Sequence, residues 1–151
     1  MKLEIGSGRK PSPGYTHLDI EPYSDAEIVG DFRTMNFENL EEIKAMHLLE
    51  HFGREEGVAV LKLWYSWLAP AGRLIVETPD FEAICQDWAK DPYWMTRHAY
   101  GSQEAPWAFH RDGWYQAKFE EVLPQVGFKI EGIKKTHSRK ILPNIYVVAR
   151  K

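Results

Sequence analysis

The sequence predicts an α/β protein built on a mostly parallel sheet that finishes with an antiparallel strand. Three observations predict it. Short apolar runs alternate with stretches of helical periodicity from Lys2 to Ala149. The last two runs, Phe128–Ile133 and Ile145–Ala149, are joined by a basic loop with no helical pattern, as in an antiparallel pair. The first two, Lys2–Ile5 and Tyr15–Ile20, are joined by a segment holding Pro11, Pro13 and Gly14, so the first crossover is shortened to a loop.

The elements follow in order. Lys2–Ile5 reads as a buried strand and Tyr15–Ile20 as a second. Ile28–Asp31 is a short third, ending at Gly30-Asp31-Phe32. Asn36–Glu42 reads as a turn or short helix, Ile43–His47 as a strand, and Leu48–Phe52 as a helical start. Glu55–Leu68 is a helix, because Val58, Leu61, Trp64, Tyr65 and Leu68 recur at steps of three and four. Pro70-Ala71-Gly72 stops it. Leu74–Glu77 is a continuous apolar strand, and Thr78-Pro79-Asp80 caps a helix reaching about Lys90. Residues 91–113 form a long, aromatic, irregular insertion. Asp112 then reads as the N-cap of a helix with Tyr115, Phe119, Val122, Leu123 and Val126 on one face. Pro124 kinks or ends that helix and Gly127 closes it.

The 151 residues are expected to form one domain, 1–151. No apolar run approaches the roughly 20 residues of a membrane span, and Met1–Gly6 carries no apolar targeting segment. The lone Cys85 excludes an internal disulfide and fits a reducing cytoplasm; it reads as a buried or half-buried spectator. The net charge of −3 gives no whole-chain field for nucleic acid. The charge is uneven, however, and Lys and Arg dominate from Lys129 onward.

Ligands of open α/β sheets sit beyond the carboxyl ends of the strands. Gly6 and Gly8 end the first strand, where glycine lets backbone approach a ligand closely. Asp19 ends the second, placed to accept from two ribose hydroxyls, and Asp31 follows the third, placed to accept from an adenine amino group. A dinucleotide fits poorly: Pro11 stands where the third glycine of the fingerprint belongs, Asp19 comes too early, and no helix N-terminus awaits a pyrophosphate. An adenosine ligand without phosphate fits better, and S-adenosylmethionine is one.

The stretches LEIGSG, HLDIEP, GDF, AMHLLEHF and LAPAGRLIVETPD occur here in that order, from Leu3 to Asp80. In this the chain resembles the class I S-adenosylmethionine-dependent methyltransferases, most closely their small bacterial type 11-like branch. The resemblance implies a Rossmann-like fold and S-adenosylmethionine as cofactor. By position it implies that Glu4, Gly6, Ser7 and Gly8 lie along the methionine part. It places Asp19 at the ribose, with Ile20 against adenine and Asp31 and Phe32 on the adenine side. It has Met46, His47 and Leu48 close over the cofactor. The family's helix before the first strand is absent, and its first helix is cut to a loop. One sheet face is therefore thinly covered, and a partner subunit, a homodimer, is expected to cover it.

Methyl transfer from a sulfonium needs alignment and a dry pocket; a base is needed only for an acceptor that holds a proton of high pKa. The aromatic insertion is the expected acceptor site. Tyr100-Gly101-Ser102-Gln103 and His110-Arg111-Asp112-Gly113 match motifs of similar small methyltransferases, which points to Tyr100, Trp107 and Arg111 as substrate-binding residues. His110 is the first candidate base and His51 the second, while Glu50 reads as a cap or ion-pair partner. No metal is expected: Asp80 and Glu82 lack a third ligand. The expected acceptor is an oxygen or nitrogen of a small polar metabolite, such as a sugar or polysaccharide precursor. The alternatives are RNA or protein methylation using the basic C-terminal hairpin, and a non-catalytic cofactor- or partner-binding module.

Overall fold

The computed structural model describes residues 1–151. Its strands are β1 (Lys2–Ile5), β2 (Thr16–Asp19), β3 (Ile28–Val29), β4 (Leu40–Met46), β5 (Leu68–Pro79), β6 (Lys129–Ser138) and β7 (Leu142–Arg150). They form one sheet in the order β3-β2-β1-β4-β5-β7-β6. β1 to β5 run parallel and β7 is antiparallel to its neighbours β5 and β6. The chain walks outward over β1, β2 and β3, then returns to lay β4 beside β1. That reversal opens a crevice at the carboxyl ends of β1 and β4.

The helices are α1 (Arg54–Trp67), α2 (Phe81–Asp87), α3 (Pro92–Tyr100) and α4 (Gln116–Val126). Glu55 and Glu56 in the first turn of α1 favour its positive end. Its buried stripe is Gly57, Val60, Leu61, Trp64 and Trp67, so the inward face is turned slightly from the one expected, and Leu68 already belongs to β5. At Gly57 a Cβ would stand 3.2 Å from the Trp114 ring. The core lies on one side of the sheet. Leu3, Ile5, Leu18, Ile43, Leu74 and Val147 pack there against Trp64, Trp67, Trp114, Phe119 and Leu123.

Local differences from expectation have local causes. β4 starts at Leu40, three residues before Ile43, because Leu40 pairs with Leu68 across a bulge. The insertion expected to be irregular begins with α3. Pro92 opens that helix and the Asp91 carboxylate accepts from the Trp94 N–H at 3.2 Å. Asp112 does not cap α4: its carboxylate takes Lys118 and the Gly113 N–H, and the helix starts at Gln116. Pro124 stays inside the last turn of α4, which Gly127 closes at φ +117°. Cys85 is exposed, because Ile84 takes the buried position on α2.

Over β1 and β4 the other sheet face carries no helix, while α2 and α3 lie against β7. Strand alternation turns Lys2 and Glu4 of β1, Glu42 and Lys44 of β4, and Arg73 of β5 towards it. These charges pair with one another: Glu42 meets Lys2 at 3.5 Å and Arg73 at 3.2 Å, and Glu4 meets Lys44 at 3.4 Å. The shortened crossover lies on this face in place of a helix. Ser12 donates to Glu4 through both N–H and hydroxyl, each at 2.7 Å. The Tyr15 hydroxyl donates to Glu42, and Lys2 and Lys44 sit 5.8 and 5.5 Å from its ring. Glu4 and Glu42 are thereby buried beneath the crossover and their cations. No helix is long and apolar enough to cross a membrane.

Candidate functional site

A cleft of about 700 Å³ opens at the carboxyl ends of β1, β2 and β4. Its first wall is the turn after β1. Gly6 adopts φ +72°, and a Cβ there would press on Leu48 at 3.3 Å, so glycine is required for this close approach. The Gly8 N–H donates to Asp19 Oδ2 at 2.7 Å, and the Glu21 N–H donates to Oδ1 at 2.8 Å. Asp19 is buried, with both oxygens anchored. A carboxylate has about four lone-pair sites, so acceptors remain for two ligand hydroxyls. Beside it, the buried Ser7 hydroxyl has no partner, and the space beside the Gly8 Cα is open.

The second wall is apolar, with Ile20, Phe32 and Leu48. Asp31 stands at its end. The Arg33 guanidinium holds the Asp31 carboxyl below the usual range through contacts of 2.7–3.1 Å. Arg33 also pairs with Glu56 on α1.

The floor is built from histidines. His47 follows β4 at φ +53°, a strained conformation for a residue with a side chain. Burial alone would depress His47, but Glu50 and Glu77 flank it at 3.5 and 3.2 Å and raise it to about 9. It is therefore an imidazolium at neutral pH. Burial pushes His98 and His110 down, so they stay neutral. His110 Nδ1 donates to the His98 carbonyl at 2.9 Å, and His51 Nδ1 donates to the Phe109 carbonyl at 3.0 Å. His98 Nε2 donates to Pro143 O and Asn144 Oδ1.

The third wall is the loop after α3. Gly101, at φ +84°, starts it; a Cβ there would lie 2.3 Å from the Ala108 carbonyl. The loop folds back so that the His110 N–H donates to the Tyr100 carbonyl at 3.0 Å. Trp107, His110 and Arg111 then face the cleft.

No protein-family model matches the chain, and the search of curated proteins gives no match. Solved structures do match. An S-adenosylmethionine-dependent methyltransferase from Methanosarcina mazei superposes with a TM-score of 0.64 at 12% identity, over 99% of this chain and 91% of that one. One from Mesorhizobium loti gives 0.65 at 11%, over 99% and 90%. The 1,6-didemethyltoxoflavin-N1-methyltransferase of Burkholderia thailandensis gives 0.69 at 14%, over 99% and 70%. The fold is that of the S-adenosylmethionine-dependent methyltransferases.

In this methyltransferase fold, the cleft walls include Gly6, Asp19, Ile20, Asp31, Phe32, His47 and Leu48 from the residues expected at a cofactor. Ser7, Gly8 and Met46 stand outside the walls, and Gly8 acts by fixing Asp19. Glu4 also stands outside the walls. Alternation along β1 turns its side chain to the opposite face, where it holds Ser12 of the crossover. Of the acceptor candidates, Trp107 and Arg111 line the cleft, but Tyr100 does not: its side chain is 61% exposed on α3, and only its carbonyl serves the loop. Both candidate bases, His51 and His110, line the cleft.

Sequence reading missed Arg33, Glu56 and His98 as cleft residues. Arg33, two residues after Asp31, was the legible signal; His98 was not, because only the fold of α3 brings it near His47, with ring centroids 6.4 Å apart. The basic C-terminal hairpin has less free charge than its composition suggests. Lys135 pairs with Asp80 at 2.6 Å, Arg150 with Glu131 at 2.5 Å, and Arg139 lies over Trp94.

Proposed function

We propose that the chain is an S-adenosylmethionine-dependent methyltransferase acting on an oxygen or nitrogen of a small polar metabolite. The observation that carries this is the common rim of Gly6 and Asp19, opening onto a cleft of about 700 Å³ that continues to a histidine floor. That volume suits a small-molecule site. Asp19 would receive the ribose hydroxyls, Ile20 and Phe32 the adenine, and the turn after β1 the methionine tail. The sulfonium methyl would then point to the floor, where Trp107, His110 and Arg111 would hold the acceptor. Solved neighbours with bound S-adenosylhomocysteine support this cofactor: the toxoflavin enzyme above, and the magnesium protoporphyrin IX methyltransferase of Synechocystis at 13% identity.

Transfer is an in-line displacement. The acceptor atom attacks the methyl carbon, the carbon–sulfur bond breaks, and its electron pair stays on sulfur. The leaving thioether is neutral and needs no acid. The chain's work is alignment and exclusion of water. A sugar or polysaccharide precursor is the first acceptor class to try. The expected homodimer is not required over β1 and β4, where the crossover and the ion pairs already cover Glu4 and Glu42. Calorimetry with S-adenosylmethionine and S-adenosylhomocysteine tests the cofactor, and labelled methyl transfer across an acceptor panel tests the activity. Binding of neither nucleoside refutes the reading; binding without turnover across the panel leaves a cofactor-binding module.

A further inference from the structure

Glu50 is 1% exposed, and neither oxygen of its carboxylate has a hydrogen-bond partner. Such a group is costly to bury. His47 lies 3.5 Å from Oε1, which relieves charge but is too long for a good hydrogen bond. The carboxylate lone pairs are therefore still free. His51 and His110 stand beside it. One ligand atom from each of the three residues lies within 4.8 Å of the others.

The two imidazoles are prepared as ligands. Each has its Nδ1–H bound to a backbone carbonyl, that of Phe109 for His51 and that of His98 for His110. The lone pair of each is therefore on Nε2, and the ring orientation is fixed. This is the support that metal-ligating histidines usually receive. His110 Nε2 is 3.8 Å from Glu50 Oε1. The two segments are also tied through backbone: the Glu50 carbonyl accepts from the Arg111 N–H at 2.8 Å and the Asp112 N–H at 3.3 Å.

We propose that Glu50, His51 and His110 bind one divalent transition-metal ion on the cleft wall, with open coordination positions for oxygens of the acceptor. Two imidazoles and one carboxylate suit zinc, manganese, iron or cobalt better than magnesium or calcium. Ligand atoms about 2.1 Å from such an ion lie about 3.0–3.5 Å apart, so no pair need draw together by more than about 1.5 Å on binding. Three protein ligands leave positions for an exchangeable water or substrate. The histidines line the cleft, so those positions face it.

The role of the ion rests on the methyl-transfer reading; its binding does not. An acceptor with two neighbouring oxygens, a vicinal diol or a hydroxy acid, would chelate it. The bound hydroxyl would lose its proton to solvent at neutral pH. The resulting alkoxide would form the carbon–oxygen bond as the methyl leaves sulfur. His51 and His110 would then be ligands, and no general base would be needed.

The test uses the full chain, stripped with a chelator and titrated with Co²⁺ near neutral pH. One equivalent should bind with visible ligand-field bands. His51→Ala and His110→Ala should each weaken Co²⁺ binding by about 100-fold or more. Circular dichroism checks that both variants fold, and His51→Ala, at a half-exposed position, carries the test alone should His110→Ala not fold. S-adenosylhomocysteine affinity, measured in the same samples, should be nearly unchanged. Failure of Co²⁺, Zn²⁺ and Mn²⁺ all to bind the wild type overturns the metal site, as does wild-type Co²⁺ affinity in the folded variants. Metal binding without nucleoside binding would instead keep the site and remove the methyl-transfer reading.

Discussion

The Gly8 backbone N–H and the Asp19 carboxylate meet at 2.7 Å, joining the turn after β1 to the end of β2. This bond aligns Asp19 on the rim of the cleft and holds its charge there without a side-chain cation. Asp19→Asn keeps the shape and removes the charge. Asparagine keeps one acceptor oxygen, so about one charge-assisted hydrogen bond to ribose is lost, about 1.5–3 kcal/mol, and S-adenosylhomocysteine affinity should fall about 10- to 100-fold by calorimetry. Unchanged affinity would remove Asp19 from the site.

Gly101 determines where the loop after α3 goes. Its φ of +84° and the Ala108 carbonyl 2.3 Å from a hypothetical Cβ leave no room for alanine. Gly101→Ala should cost about 1–3 kcal/mol and loosen residues 102–111. Amide hydrogen exchange should rise in that loop while β1 and β4 stay protected. Equal exchange in both proteins would contradict the strain.

His17 gives stability a pH dependence. Its Nδ1 meets Glu27 Oε2 at 2.8 Å and its Nε2 meets the Ser12 carbonyl at 2.7 Å. Both partners are acceptors, so only the imidazolium can donate to both. Burial opposes the charge, but Ser12 and Glu27 prevail and raise the pKa. A raised folded-state value means the stabilisation is complete below the unfolded value of about 6.5. It is lost as pH rises through the folded value. The melting temperature should fall over that alkaline side, and His17→Gln should flatten the trend. A wild-type profile identical to that of His17→Gln would rule the linkage out.

The helix-free part of the sheet, over β1 and β4, should stay in water. Lys2, Glu42 and Arg73 pair across it, and Tyr15 covers their centre. Glu42 is buried beneath its partners, while Lys2 and Arg73 stay about half exposed and are costly to strip of water in an interface. Sedimentation at micromolar concentration should give the mass of one chain. A dimer mass would mean that apolar residues outside this network make a contact.

The sequence by itself determined the strands, their alternation with helices, the shortened first crossover, and the placing of glycines and acids at strand ends. Those features rest on local rules: periodicity, proline and glycine geometry, and the direction of a strand. Asp91 and Pro92 even signalled α3, although the aromatic character of that stretch hid its helical start. Only the tertiary structure decided which face Glu4 takes, because β1 must bury Leu3 and Ile5 together. It alone decided that Tyr100 points away while Trp107 turns in. Above all it brought His110 to Glu50 and His51, far apart in the chain, by tying the Arg111 and Asp112 N–H groups to the Glu50 carbonyl. Spacing cannot reveal such a cluster, since its members share no strand or helix and meet only once the sheet has set both loops at one edge.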